Sequence, residues 1–382
     1  MKICLVVPHA FPLFDATSTS VFGGSEVRAW TFGTALANLP DYRISFLVSE
    51  PGPERRAVYG KTEVYTYAST PPKSSIVKRM TRAILGFRPM NPLQEHLYRL
   101  QADIYCGFGA SDFTAALGDC CKALGGRFVL FCGSDSDFWP IHLQHSAIRN
   151  AYGVSGEGAW KAMSNADLVI TQTRHQSGLL LQRFGKSGSR VANAIDLKNK
   201  RPGPGDPTMA SYVLWIGKAD NTKRPGLVLD LASSMADLPF VMVMNRSVPK
   251  VWESVVQQLP ANVRLLEKIP FSESDKLFEG ALVLLNTSEF EGFPNTFLQA
   301  GKYGVPVLSL SVDPDEFITQ TGCGLVCQND TSVLRKALRR LREDRALWQA
   351  CSKAVTRYVV ENHELTACVQ ELDAALKQVM QS

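Results

Sequence analysis

Short, almost continuous apolar runs alternate along this chain with stretches whose apolar residues recur every three or four positions. Runs of strand character are Lys2–Pro8, Ile44–Ser49, Asp103–Gly107, Arg127–Cys132 and Leu168–Thr171, followed by Tyr212–Gly217, Phe240–Asn245, Val263–Leu266, Ala281–Asn286 and Val305–Ser309. Helix-like segments lie between most of them. Strand–helix alternation predicts parallel sheets with helices on both faces. The unbroken apolar character of runs such as LVLFC and VLLN agrees, because a parallel strand is buried on both sides.

One segment breaks the alternation. Lys198–Ser211 reads KNKRPGPGDPTMAS, rich in Pro and Gly and without apolar periodicity, as an interdomain linker does. It divides the chain into a first domain (1–198), a linker (199–211) and a second domain (212–360), with a terminal helix (361–382) expected to cross back to the first. A total of 382 residues suits two domains. The fold class expected is α/β, with two doubly wound parallel-sheet domains facing across a cleft. Ligands in such sheets bind outside the carboxyl ends of the strands, so the loops after each strand are where chemistry is sought.

Charge sharpens this picture. The net charge is +5, but residues 1–198 hold 21 Lys/Arg against 15 Asp/Glu, whereas residues 199–382 hold 20 against 21. Arg55–Arg88 alone has eight cations and one acid, Glu63. Within it, KSSIVKRMTRAILGF places Lys73, Lys78, Arg79, Arg82 and Arg88 around an apolar stripe of Ile76, Met80, Ile84 and Phe87. A basic amphipathic segment of this kind suits an anionic membrane surface; an ordinary helix packed on the first domain is the alternative. The nine cysteines form no disulfide framework or C-x-x-C pair, and no apolar run is long enough to span a bilayer. The N-terminus reads as a strand rather than a secretory signal. A reducing cytoplasm is expected, with a peripheral position on the inner face of the membrane. Nucleic acid is not expected as a partner, since no recognition signature appears.

Nucleotide fingerprints are missing. No G-x-G-x-x-G follows the first strand of either domain, and Gly185-Lys186-Ser187 lacks the rest of a Walker loop. Three loops carry chemistry instead. Gly23 and Gly24 precede a helical run and allow close approach of backbone amides to a phosphate. The second domain opens with VLWIGKADNTKRPG, where Lys218, Lys223 and Arg224 cluster after a strand and can neutralise a diphosphate. The most informative string is NTSEFEGFPNTFLQAGKYGVPVLSL. A strand ends at Asn286, Glu289 and Glu291 follow, and Gly292-Phe293-Pro294 starts a helix whose first amides, on Asn295 and Thr296, suit an anion.

This string resembles the E-x7-E region of retaining glycosyltransferases of family 4, which have the GT-B fold. The resemblance runs in order through the Gly23-Gly24 loop with Glu26, ADIYCGFGA, NADLVITQT, VANAIDL, WIGKADNTKRP, EGFPNTFLQA and PVLSLSVDPDEF. It implies that Glu291 contacts the donor sugar, that Gly292, Phe293, Pro294, Asn295 and Thr296 supply backbone contacts to sugar and phosphate, and that Lys218 and Lys223 hold the diphosphate. Lys268 and Ile269 would cradle the base. The second acid of the motif, which the resemblance assigns to the ribose hydroxyls, is here Gln299, whose amide can still hydrogen-bond a diol, and Lys218 stands in the usual Arg position. The His that many relatives carry after the strand matching Phe128–Cys132 is missing; CGSDSDFW stands there, with Asp135 as its candidate replacement and His9 as another. Asp135-Ser136-Asp137 also has D-x-D spacing, but in this two-domain pattern a metal is not expected. His142 and His145 read as surface residues.

The expected function is therefore retaining transfer of a sugar from a nucleotide-diphosphate sugar to a lipid-linked or surface-polysaccharide acceptor, lipopolysaccharide included. No cofactor or essential metal is expected. A catalytically silent sugar-nucleotide-binding or scaffold protein, and a sugar-nucleotide epimerase of the same fold, are the alternatives.

Overall fold

A computed structural model describes residues 1–18, 20–67, 92–139, 146–150, 153–198 and 206–381. Lys73, Lys78, Arg79, Arg82, Arg88, His142, His145 and linker residues 199–205 lie outside the described residues. The chain forms two compact units, Met1–Val191 with Val369–Ser382, and Ala192–Cys368.

The first unit is built on strands β1 (Lys2–Val6), β2 (Arg43–Ser49), β3 (Arg55–Tyr59), β4 (Thr62–Tyr67), β5 (Ile104–Phe108), β6 (Arg127–Phe131), β7 (Leu168–Thr171) and β8 (Ser189–Arg190). They form one sheet in the order β3-β4-β2-β1-β5-β6-β7-β8. Every pairing is parallel except β3 with β4. Its helices are α1 (Gly24–Leu36), α2 (Pro92–Leu100), α3 (Asp112–Leu124), α4 (Gly156–Asn165) and α5 (Arg174–Phe184). Inward residues of β1, β5 and β6 pack with α3 and α4 through Cys4, Tyr105, Leu117, Phe128, Leu130 and Met163.

Local sequence explains several boundaries. Ser111 and Thr173 cap α3 and α5 by accepting from backbone amides three residues on. Gly125 and Gly185 end the same helices in the left-handed conformation, at φ 73° and 61°. Gly185-Lys186-Ser187 is thus a helix terminus. The Lys186 ammonium donates to the carbonyls of Met163 (2.8 Å), Ser164 (3.2 Å) and Ala166 (2.8 Å), closing the end of α4.

The basic stretch does not begin as one cationic segment. Arg55 and Arg56 lie on the edge strand β3, which pairs antiparallel with β4. Arg56 pairs with Glu63 at 2.7 Å, and the Arg55 guanidinium sits 4.7 Å from the centre of the Phe11 ring. Charges on an edge strand also discourage edge-to-edge association.

The second unit contains a wholly parallel sheet of β9 (Tyr212–Lys218), β10 (Phe240–Asn245), β11 (Val263–Leu266), β12 (Ala281–Asn286), β13 (Val307–Ser309) and β14 (Gly324–Val326). Their order is β11-β10-β9-β12-β13-β14. Its helices are α6 (Gly226–Ser233), α7 (Pro249–Gln257), α8 (Phe271–Ser274), α9 (Asn295–Tyr303), α10 (Phe317–Thr321), α11 (Thr331–Glu343) and α12 (Arg345–His363). β12 is buried at all six positions, as its unbroken apolar run requires. Trp348 of α12 is fully buried, and its indole N–H donates to Leu282 O at 2.7 Å.

The tail is built of three successive helices. Asp344 separates α11 from α12 and caps the latter, accepting from Leu347 N at 2.9 Å. Glu364 precedes α13 (Leu365–Gln381). Val369–Ser382 belongs to the first unit, where Asp373 accepts a hydrogen bond from the Tyr42 hydroxyl and pairs with Lys377 at 2.9 Å.

α9 and α12 meet at Gly301. A β-carbon there would lie 2.2 Å from Val359 Cγ2 and 2.9 Å from Val355 O. Backbone on one side leaves no room to yield, so Gly301→Ala wedges α9 away from α12. The variant should lose ~1–3 kcal/mol of stability, read as a lower denaturant midpoint; an unchanged midpoint would show the contact to be slack.

Candidate functional site

Two loops leave the carboxyl ends of neighbouring strands β9 and β12, and side chains sew them together. Trp215, on β9, donates its indole N–H to Thr287 Oγ1 at 3.0 Å, and that hydroxyl donates to Lys223 O at 2.6 Å. Glu289 N donates to Thr222 O at 2.9 Å. The Arg224 guanidinium closes the arrangement. Its Nε reaches Thr287 O (2.6 Å), one terminal nitrogen reaches Asn329 Oδ1 (2.6 Å), and the other reaches Ser288 O (2.8 Å) and Ser311 Oγ (3.2 Å). Planar forked geometry lets one side chain satisfy several strand-end acceptors at once. The residue sits at φ 49°, a left-handed conformation held by this bonding.

This corrects one sequence expectation. Arg224 is not a third cation turned toward a diphosphate; its guanidinium is occupied by the protein. The other two stand differently. Lys223 N donates to Asp220 Oδ1 at 2.9 Å, and the Lys223 ammonium pairs with a Glu291 carboxylate oxygen. The Ser288 hydroxyl donates to that same oxygen at 2.7 Å. Lys218, the last residue of β9, is half-buried, and its ammonium has no hydrogen-bond or ion-pair partner among the described residues. The strand end therefore carries one unpaired ammonium beside an ammonium–carboxylate pair.

The start of α9 completes the site. Gly292, Phe293 and Pro294 are buried, and Pro294 stands at the N-cap with extended backbone. Pro294 makes no side-chain cap hydrogen bond, and the first-turn amides of a helix have no carbonyl acceptor within the helix itself. Such amides, with the helix dipole, suit an anion. The Phe293 ring itself points inward, 4.5 Å from the His363 ring centre and 5.2 Å from that of Phe317. Its side chain anchors the loop and is not turned to a ligand.

Two residues that sequence reasoning missed hold this turn. Asn193 donates from Nδ2 to Phe293 O (2.8 Å) and to Asn295 Oδ1 (3.1 Å). His363 Nδ1 donates to Asn193 O at 2.6 Å, and Ile195 N donates back to His363 O at 2.9 Å. The VANAIDL string was a visible marker of the first, but its partner lies 170 residues away. Nothing local in the sequence pairs them.

Gln299 is a second correction. It is buried, and its amide nitrogen donates to Ser274 Oγ (2.9 Å) and Asp275 Oδ1 (3.1 Å). Lys302 and the Tyr303 hydroxyl donate to the other Asp275 oxygen at 2.8 and 3.1 Å. The amide N–H groups expected to meet a ribose diol are spent inside the unit. Lys268 and Ile269 are half-buried on the loop after β11.

The first-unit candidates occupy loops of their own. Gly23 caps α1 with extended backbone, and its N–H donates to Glu26 Oε2 at 2.7 Å; Glu26 is thus part of a helix cap. Gly24 opens the helix. His9 is exposed after β1. Asp135 accepts from Gln176 Nε2 at 3.0 Å. Asp137 turns inward and accepts from Gly133 N (2.7 Å), Ala110 N (3.0 Å) and Ser134 N (3.3 Å). Burial pushes its carboxyl up to about 6 against those three amides. The D-x-D spacing is therefore not two parallel ligands. No group of three or more His, Cys, Asp or Glu residues could hold a metal among the described residues. Arg28, unforeseen from the sequence, is buried and donates to Cys132 O (2.8 Å) and Val191 O (2.9 Å).

Residues 210–344 match a family described as glycosyl transferases group 1. No curated protein matches the sequence. Among solved structures, the chain is similar to sucrose-phosphate synthase from Thermosynechococcus elongatus, with TM-score 0.75, 15% identity, and 100% of this chain and 99% of that one covered. It is similar to Anabaena HepE in complex with UDP and glucose, with TM-score 0.72, 13% identity and 99% of each chain covered. A mutant of S. aureus TarM, in complex with fondaparinux, α-GlcNAc-glycerol and UDP, gives TM-score 0.71 at 11% identity over 98% of this chain and 99% of that one. The fold of this protein is GT-B: two parallel-sheet α/β domains.

Two outcomes follow from the bonding described. Arg224→Ala leaves strand-end carbonyls without donors and should cost ~2–4 kcal/mol of stability; Arg224→Lys should recover only part, because an ammonium cannot span the same acceptors. Full rescue by lysine in thermal melts would refute the fork. Asp137, with its pKa raised in the folded state, contributes stability that is full below its unfolded value and is lost as pH rises through about 6. Wild type should therefore lose stability relative to Asp137→Asn between about pH 4 and pH 7; a constant difference across that range would contradict it.

Proposed function

We propose that this protein is a retaining glycosyltransferase that takes its sugar from a nucleotide-diphosphate donor held by the second unit. The observation that carries this reading is the convergence of Lys218, the Lys223–Glu291 pair and the amide-rich start of α9 at the ends of β9 and β12. The match of residues 210–344 to the glycosyl transferases group 1 family supports it, and so do structural neighbours bound to UDP or a UDP-sugar analogue.

In this reading, the diphosphate lies against Lys218, Lys223 and the first amides of α9. Breaking the glycosidic bond leaves negative charge on the diphosphate. Fixed ammonium groups and helix-terminus donors stabilise that charge as it forms, without reorganising. Glu291 orients the sugar through its hydroxyls. Its present pairing with Lys223 keeps both groups placed before the donor arrives; a bound diphosphate competes for the ammonium and releases the carboxylate toward the sugar. Because these cations and amides balance the charge, the reaction proceeds without an essential divalent ion. The acceptor is a lipid-linked or surface-polysaccharide intermediate, recognised by the first unit, where Asp135 is its candidate contact. The enzyme works in the cytoplasm, at the inner face of the membrane.

A thermal-shift screen of nucleotide sugars, followed by transfer assays with the stabilising donor, tests the reading. Glu291→Ala should keep the melting profile and lose transfer by ~100-fold or more, and chelator should leave wild-type turnover unchanged. Tight donor binding with no turnover across acceptors would favour a silent binding protein. Release of a C2-inverted sugar nucleotide without acceptor would favour an epimerase.

A further inference from the structure

The second unit, Ala192–Cys368, contains 20 Lys/Arg and 20 Asp/Glu. That even balance conceals a concentration. The eleven residues Arg335–Arg345 hold six cations and two acids, leaving the rest of the unit net acidic. All six cations are exposed. Two are tied down: Arg342 pairs with Asp237 and Arg345 with Asp206. The side chains of Arg335, Lys336, Arg339 and Arg340 make no hydrogen bond or ion pair among the described residues.

Helix geometry gathers these four into one patch. Arg335 and Arg339 are four apart, as are Lys336 and Arg340, and Lys336 and Arg339 are three apart, so each neighbours another like charge on the same helix face. Repulsion of this kind works against α11. Cations in the last turn complement the helix dipole, which accounts for Arg340 and Arg342 but not for Arg335 and Lys336 in the middle. The apolar face cannot explain the arrangement either. Leu334, Ala337, Leu338 and Leu341 are buried in the core with Trp348. A shallow hollow of about 600 Å³ lies at the C-terminal side of the patch, lined by Lys336, Arg339, Arg340, Glu343, Asp344 and Arg345.

We infer that the solvent face of α11 is a docking surface for an anionic membrane, engaging lipid headgroups by charge alone. Residues 331–345 contain no aromatic, Asn, Gln or His side chain, so the patch lacks the stacking platforms and base-edge readers that nucleic-acid surfaces combine with their cations. A fan of long cations without directional readers fits phosphate headgroups that can rearrange laterally to meet it. With the apolar face committed to the core, the contact is peripheral and screened by salt. This surface deepens the membrane placement proposed above, and vesicle binding is read without any transfer assay, so either can fail alone.

Vesicle co-sedimentation of the full chain tests it, with phosphatidylglycerol mixed into phosphatidylcholine at low salt. Arg335→Gln, Lys336→Gln, Arg339→Gln and Arg340→Gln combined should reduce partitioning onto anionic vesicles at least tenfold while keeping the circular dichroism spectrum and not lowering the melting temperature. Replacing the three arginines by lysine should retain the binding, and about 0.5 M salt should abolish it. Because the comparison is between variants of one chain, cations elsewhere cancel. Equal partitioning of wild type and the glutamine variant would overturn the inference. So would loss of binding in the lysine variant, or tighter patch-dependent binding to a single-stranded oligonucleotide than to the vesicles.

Discussion

The second unit depends on how carbonyls at the ends of its parallel strands are satisfied. A parallel sheet leaves such groups where the chain departs into loops, and buried ones cannot remain unpaired. Arg224 and the Thr287 hydroxyl satisfy three such carbonyls, of Thr287, Ser288 and Lys223, where β9 and β12 give way to loops. In doing so they bind two loops into one rigid piece, and the residues carried between them inherit its geometry. Lys223 is adjacent to the guanidinium that locks the loop; Glu291 lies three residues beyond Ser288, whose carbonyl that guanidinium holds. Their pairing follows from backbone bonding made for structural reasons.

The same economy governs the start of α9. Its first amides are presented by a turn with little side-chain capping of its own. The turn is fixed from behind, by Asn193 on the Phe293 carbonyl and by the ring stack of Phe293 with His363 and Phe317. Gly301 then allows α12 to approach closely enough to carry His363 to that position. Core packing and donor-site placement are one problem here, since a shift of α12 moves the residue that holds the turn.

Charge is divided between tasks in a way composition conceals. Within the second unit, Arg224 and Lys302 serve the fold, Lys218 and Lys223 stand at the strand ends, and α11 displays an unpaired cluster. In the first unit, Arg28 and Lys186 cap or cross-link backbone, and Arg55 and Arg56 pack against aromatic rings on an edge hairpin. Counting cations by segment therefore overstates how many face a ligand.

The linear sequence by itself determined the architecture. Uninterrupted apolar runs demand burial on both faces, which only parallel sheets with helices on each side provide, and the Pro/Gly-rich stretch near residue 200 separated two such patterns. It also indicated which loops matter, because Gly, Pro and charged residues at strand ends have few other uses. What it left open is which charged group faces inward. Arg224 and Lys223 are adjacent and chemically alike, yet one is consumed by carbonyls 63 and 64 residues away and the other meets a carboxylate 68 residues away. Gln299 was visible as a departure from an acid, but its burial against Asp275 was not. Those outcomes, with the roles of Asn193 and His363, were decided by tertiary structure, because the desolvation that forces a polar group to take a partner exists only once distant segments have packed around it.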